Sequence, residues 1–387
     1  MNLQYNDYNE IRPYNDLEVP YAIGELVRDT DFITFLRYLF PNFNRAEFIR
    51  NFKTISTVYD FQATFACAAM NVVIERTIES LTCSGIEHLV KNNAYLFLSN
   101  HRDIVLDSSL MNFLLFENGL QISQTAIGDN LFVSPMVTHL LKLNKSFTVK
   151  RNIPPRAFYT YSKQLSAYIT DVIVEKNISI WLAQREGRAK DGDDKTQYGL
   201  LKMLVMNGEK NFMDAFFKLH ILPVAVSYEY DPCDVMKAVE LYAHTNDIPY
   251  QKTPEKDFRS MLTGMQGFKG RVHIAFGNQI VENKTQADSD CNMNEWLKKM
   301  AEIIDAQIYA NYKLWKTNYI AYDILVKSSA FSKQYTSIEK KDFISYVNKK
   351  LMDLPKEYNK EELFRIVLTM YANPVKNNLG SGLKEQD

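Results

Sequence analysis

The chain has 387 residues, 46% of them hydrophobic and 24% charged, which excludes a disordered chain and allows one large domain or two to three small ones. Forty-five Lys and Arg against forty-six Asp and Glu leave a formal charge of -1, so no overall basic field exists to hold nucleic acid, and any anion site must be local. Cys67, Cys83, Cys233 and Cys291 are too few and too scattered for a disulfide framework, and none forms the C-x-x-C pair of a zinc site, so no metal is expected.

The first twenty residues carry Asn, Asp and Tyr in place of the basic start and apolar run of an export signal, so a cytoplasmic protein is expected. Residues 28–80 read as amphipathic helices. Within them Phe61 to Ile74 is the longest uncharged apolar stretch, 14 residues, short of the roughly 18 to 20 that span a bilayer. It is expected to bury against the core, with contact at a membrane surface as the alternative.

From about residue 90 to 280, short β-branched or aromatic runs alternate with longer helical patterns, the rhythm of βαβ units around a mostly parallel sheet. The runs are Tyr95–Ser99, Gln124–Gly128, Ser146–Arg151, Ile178–Gln184, Ile221–Tyr228 and Val272–Phe276. Asp103 can cap a helix whose Leu106, Leu110 and Leu114 repeat at i+4, and Pro154-Pro155 opens another that runs to about Glu175. Residues 290–372 return to amphipathic helices. The fold class expected is α/β, a mostly parallel sheet flanked by helices. The expected divisions are an N-terminal helical region (1–89), an α/β domain (90–285) and a C-terminal helical region (286–387). Met1 to Pro20 and Val375 to Asp387 read as loose ends.

Four segments bear chemistry. In Leu98-Ser-Asn-His-Arg-Asp-Ile-Val-Leu-Asp107 a strand ends and a helix begins, at the sheet edge where α/β proteins hold ligands. A His there beside a carboxylate suits a general base, because the carboxylate sets the tautomer and stabilises the imidazolium. Asp103 and Asp107 are both candidates, one turn apart if the helix starts at Asp103. The triplet His-Arg-Asp also occurs in protein kinase catalytic loops, but the Asn required five residues after the Asp is Ser108 here, and no D-F-G follows.

Gly128-Asp-Asn-Leu-Phe leads into Asn144-Lys-Ser-Phe-Thr-Val-Lys-Arg151. From Asn130 to Thr170 there are six basic residues (Lys142, Lys145, Lys150, Arg151, Arg156, Lys163) and no acidic one. A solvated helix face accounts for Lys142, Lys145 and Lys163, whereas Lys150-Arg151 closes a strand, where Arg can bind phosphate bidentately. Trp181-Leu-Ala-Gln-Arg-Glu-Gly-Arg-Ala-Lys-Asp-Gly192 is a glycine-relaxed charged turn on which Arg185, Arg188 and Lys190 can converge on phosphate. Leu222-Pro-Val-Ala-Val-Ser-Tyr-Glu229 reads as a buried strand ending in a polar pair.

In order and spacing these segments resemble the glycerolipid acyltransferase superfamily, over roughly residues 90–230. The blocks that look like the family's are Asn-His101-Arg-Asp-Ile-Val-Leu-Asp107, Gly128-Asp-Asn-Leu-Phe with Lys150-Arg151, Glu186-Gly-Arg188-Ala-Lys-Asp-Gly192, and Leu222-Pro223-Val-Ala-Val. Two departures stand out. Five residues separate His101 from Asp107 where the family has four, and Arg185 stands where a Glu is usual.

The resemblance implies His101 as base, oriented by Asp107 or alternatively Asp103. It implies Arg151, Lys150, Arg188, Lys190 and Arg185 toward a substrate phosphate, and Arg102, Asn130, Glu186 and Gly187 as further substrate contacts. It implies no cofactor, only acyl-CoA or acyl-carrier protein as donor, in phospholipid biosynthesis. Arg102, Asn130-Leu131 and Tyr228-Glu229 look closer to the glycerol-3-phosphate branch than to the lysophosphatidate branch. A peripheral contact with the inner face of the cytoplasmic membrane fits either acceptor. A rival of another class is a non-catalytic scaffold that keeps the fold and the basic pocket.

Overall fold

The computed structural model describes residues 8–282 and 292–381. Cys291, the expected boundary at 285 and the outermost parts of both expected loose ends lie outside the described residues.

Seven strands form one sheet: β1 (Ile78–Ser84), β2 (Leu96–Ser99), β3 (Gln124–Gly128), β4 (Ser146–Val149), β5 (Ile180–Ala183), β6 (Ile221–Tyr228) and β7 (Gly270–Phe276). Their order is β1-β7-β6-β2-β5-β3-β4, parallel throughout except for β6 against β7. The central strands are continuous apolar runs because helices cover both faces. All eight residues of β6 are buried.

Alternation sends Leu96 and Leu98 to one face, against Leu165 and Ile169 of the Pro155–Thr170 helix and Leu297 and Ile304 of the Met293–Ala310 helix. Tyr95 and Phe97 go to the other face, against Leu106, Leu110 and Leu114 of the Leu106–Glu117 helix and Val73 of the Cys67–Thr77 helix. The N-terminal helices have a small core of their own, in which Phe32, Phe52, Phe61 and Phe65 pack together. Phe61 and Phe65 of the uncharged stretch are thus buried in that core. The C-terminal helices pack on the Asp234–Thr245 helix through Phe343, Val367 and Tyr371.

Four expectations need correction. Strand β1 lies before residue 90 in a segment read as helical. Its sequence Ile-Glu-Ser-Leu-Thr-Cys-Ser puts polar residues on both sides, as only an edge strand with a largely exposed pattern tolerates. The Val375–Asp387 tail is not loose from its start, since the Lys360–Gly380 helix runs through Pro374 and buries Val375. Likewise Ile11 is buried and accepts a hydrogen bond from Thr148 N beside β4. Lys142 and Lys145 are not a solvated face. Lys142 Nζ donates to the carbonyls of Ile11 (3.2 Å) and Arg12 (2.6 Å), and burial lowers it to about 8. Lys145 Nζ donates to Ile122 O.

Candidate active site

Strands β2, β3, β4 and β5 point their carboxyl ends at one edge of the sheet, and the chemistry-bearing segments follow those ends. After β2 the chain does not enter a helix at Asp103. The helix begins at Leu106, and residues 100–105 form a loop that wraps around the Asp107 carboxylate. Asp107 Oδ2 lies 2.8 Å from His101 Nδ1 and accepts from Arg102 N (2.6 Å) and Asp103 N (3.0 Å). Its Oδ1 accepts from the Tyr228 hydroxyl at 2.9 Å. A fully buried carboxylate with four donors is compensated for its loss of water. The wrapped loop also absorbs the extra residue between His101 and Asp107.

With Nδ1 donating to Asp107, the neutral ring keeps its lone pair on Nε2, which is the arrangement a general base needs. The imidazole side chain is 13% exposed and packs edge-on against Trp181, 5.5 Å between centroids. Tyr228 is held as a hydroxyl, because burial and the neighbouring Asp107 charge push its pKa well above the usual value.

Asp103 does not contact His101 in this arrangement. Its Oδ1 caps the loop, accepting from Val105 N and Leu106 N at 2.9 Å each. Burial, and then the Asp107 charge, raise its pKa. The Pro254–Gln266 helix crosses directly over it: a Cβ on Gly264 would stand 2.0 Å from Asp103 Oδ2, so only glycine allows this approach.

Arg102 is turned inward. Its guanidinium is 11% exposed and forms an ion pair with fully buried Asp194 at 2.5 Å. Asp194 also accepts from the Tyr312 hydroxyl and from Asn100 Nδ2, and its backbone carbonyl takes the Tyr309 hydroxyl. Buried Lys237 donates to Arg102 O (2.7 Å) and pairs with Asp231. Burial favours the neutral Asp231, but the Lys237 ammonium outweighs it and holds the carboxyl low. Arg102 therefore clamps the His101 loop onto the C-terminal half of the chain.

The other expected residues fall into two groups. Arg151 N donates to Asp129 Oδ1 (3.1 Å) and Arg151 Nη1 pairs with Glu186 at 2.5 Å, which joins the second block to the third. The guanidinium lies across the end of β3, where a Cβ on Gly128 would be 2.5 Å from Nε. Arg188 is bracketed by the same turn, since Ala189 N donates to His101 O at 3.2 Å, and its charge acts on Asp103 and Asp231. Among the described residues, Arg151 Nε and Arg188 Nη1 are buried without a hydrogen-bond partner, as is Arg102 Nη1. Gly187, between Glu186 and Arg188, has a φ of +71°. Arg185 is partly exposed on that turn.

By contrast Lys150 reaches away to Glu10 (2.6 Å), Lys190 to Glu240 (2.9 Å), and Asn130 donates to Asp257 at 3.0 Å. These three meet protein partners instead of converging with the arginines.

The segment from 80 to 227 thus carries the His-carboxylate pair, both glycine-bearing turns, strands β2 to β5 and most of β6, and residues 80–227 match the family model described as Acyltransferase. That match, over residues 80–227, agrees with the resemblance to the glycerolipid acyltransferase superfamily read from the sequence. A search of curated proteins finds no match. Among solved structures, the 1-acyl-sn-glycerophosphate (LPA) acyltransferase PlsC from Thermotoga maritima is similar at 12% identity, over 74% of this chain and 94% of that one, with a TM-score of 0.31.

Several residues of the candidate site had no signal in the sequence. Trp181 read only as part of an apolar strand, and Asp194, Lys237 and Tyr312 lie 94, 137 and 212 positions beyond Asn100. Tyr228 stood out as the polar end of β6 and, with Glu229, in the resemblance to the glycerol-3-phosphate branch, with nothing to connect it to Asp107.

Proposed function

We propose that the domain transfers a fatty acyl group from the thioester of CoA or acyl-carrier protein to a glycerol phosphate hydroxyl, with glycerol-3-phosphate as preferred acceptor. The observation that carries this reading is the pair of guanidinium groups, Arg151 and Arg188, whose buried unpartnered nitrogens flank the segment that holds His101. A phosphate supplies the acceptor oxygens those nitrogens lack, and a phosphate held there brings its glycerol hydroxyl toward the base.

In this mechanism His101 Nε2 takes the hydroxyl proton as the oxygen attacks the thioester carbonyl carbon. Asp107 stabilises the imidazolium formed. Collapse of the tetrahedral intermediate breaks the carbon–sulfur bond, and the leaving thiolate recovers the proton from His101. No acyl-enzyme is formed. Buried Cys233, whose thiol burial pushes up to about 12, stays protonated and is no nucleophile.

The test is to incubate purified protein with labelled acyl-CoA or acyl-carrier protein and, separately, glycerol-3-phosphate or lysophosphatidate, and to identify the lipid formed. Product with glycerol-3-phosphate supports the reading, product only with lysophosphatidate transfers it to that acceptor, and no product with either points to a non-catalytic scaffold. His101→Ala is expected to abolish turnover while the circular dichroism spectrum and Tm stay near wild type; near-normal turnover by that variant refutes the mechanism.

A further inference from the structure

No helix of the described residues is long and apolar enough to cross a membrane. Yet the rim around the candidate site exposes large apolar side chains in two neighbouring places. On the Pro254–Gln266 helix, Asp257, Ser260, Met261 and Gly264 face inward, while Phe258 and Leu262, one turn apart, are 41% and 37% exposed on the outer face. At the start of the Pro155–Thr170 helix, Phe158 and Tyr159 are 59% and 66% exposed.

The two places are joined through the turn after β3. Asp129 accepts from Arg151 N, three residues before Pro154, and Asn130 donates to Asp257 on the other helix. Five cations accompany the exposed rings (Arg156, Lys163, Lys252, Lys256 and Arg259) against three carboxylates, Glu255, Asp129 and Asp257, the last buried and 3.7 Å from Lys252. In a chain of net charge -1 this is a local excess.

We propose that this rim is a docking face for an anionic lipid bilayer. Apolar side chains on the outer face of an amphipathic helix, interspersed with Lys and Arg, match an interface that is apolar below the headgroups and negative at them. A solvated helix face has no use for the paired Phe258 and Leu262. The inner side of the same helix gives the contact a purpose. Met261 lines a groove whose wall is apolar at Ile104, Val105, Ile127, Leu131 and Leu141 and elsewhere carries Ser, Asn and Thr side chains, and Ile104 and Val105 follow His101 by three and four residues. Docking on the outer face brings the groove mouth to the layer in which acyl chains are dissolved. This inference rests on the acyl-transfer reading for its purpose and on the surface alone for its existence.

The experiment is sedimentation of the full chain with vesicles of phosphatidylcholine alone or with 30% phosphatidylglycerol, for wild type, Phe258→Glu/Leu262→Glu and Phe158→Glu/Tyr159→Glu. The wild type is expected to bind the anionic vesicles at least tenfold more tightly than the neutral ones and to release in high salt. Each double variant is expected to lose at least tenfold, with unchanged Tm. Turnover of a water-soluble short-chain thioester in the absence of vesicles is expected to be the same in all three proteins. Wild type that stays in the supernatant, or variants that bind as wild type does, overturns the docking face. Self-association of the wild type that the same substitutions abolish without lipid, in a protein that binds no vesicles, also overturns it. Absence of turnover in all three proteins, with vesicle binding as expected, counts against the acyl-transfer reading and leaves the surface in place.

Discussion

Replacement of Asp107 by Asn isolates the charge of the carboxylate from its shape. Three donors converge on Oδ2, namely His101 Nδ1, Arg102 N and Asp103 N, while Oδ1 faces only the Tyr228 hydroxyl. The amide oxygen must therefore take the Oδ2 position and the amide NH2 must face Tyr228, whose oxygen can accept in place of donating. Hydrogen bonds survive, and the expected loss of stability is about 1–3 kcal/mol from the weaker, uncharged acceptor.

What disappears is the negative charge opposite the imidazolium that forms during proton transfer. Two unit charges 4 Å apart attract by about 4 kcal/mol at an effective dielectric constant of 20. The 2.8 Å contact is closer than that, but part of the attraction is offset by relaxation of the surroundings. A barrier increase of about 2–4 kcal/mol follows, or about 30- to 1,000-fold in kcat. The assay is steady-state acyl transfer with the acceptor varied, alongside denaturant unfolding. A kcat within threefold of wild type, or a loss confined to KM, refutes the role assigned to Asp107.

Arg151→Ala is expected to raise the acceptor KM at least tenfold with a smaller change in kcat, as read from acceptor titrations; an unchanged KM removes Arg151 from the phosphate site. Arg102→Ala leaves Asp194 buried without its cation, so a loss of about 3–5 kcal/mol is expected in denaturant unfolding. A substrate-binding role for Arg102 instead predicts a stable protein with raised KM. Lys269 is fully buried, bonded to Thr77 Oγ1 and Gly267 O, and burial lowers its pKa to about 8, against the opposing pull of Asp103, Cys233 and Asp231. A lysine depressed in the folded state costs stability below about pH 8, and the cost is relieved as pH rises toward the unfolded value near 10.5. Unfolding free energies of wild type should therefore gain roughly 2–3 kcal/mol on those of Lys269→Met between pH 7.5 and 10.5; parallel curves would contradict the assignment.

The six strands from β2 to β7 were legible because parallel strands covered on both faces are short apolar runs with polar punctuation. β1 was not, because an edge strand is chosen by the backbone of β7 beside it and has no apolar signature of its own. The same distinction runs through the site. The motif residues themselves were visible, His101 with two nearby carboxylates and arginines at strand ends, since their types and spacing are local facts. Which carboxylate faces the imidazole was not, because it depends on where the helix starts. Asp103 caps the turn, the helix begins three residues later than the spacing suggested, and the loop closes on Asp107.

Sequence alone thus determined the class of the fold, the edge of the sheet where the chemistry sits, and the residue types available there, because each follows from short-range pattern. Only the tertiary structure decided how those charges are used. Arg102 and Arg151 are both arginines just beyond strand ends, and they differ in what the distant chain offers them. Arg102 meets Asp194, which also binds Tyr312, in the buried interior, whereas Arg151 meets an exposed Glu186 at the end of the sheet. A long flexible cation takes its role from the desolvated partner within its reach, and that partner is set by packing between elements far apart in the chain.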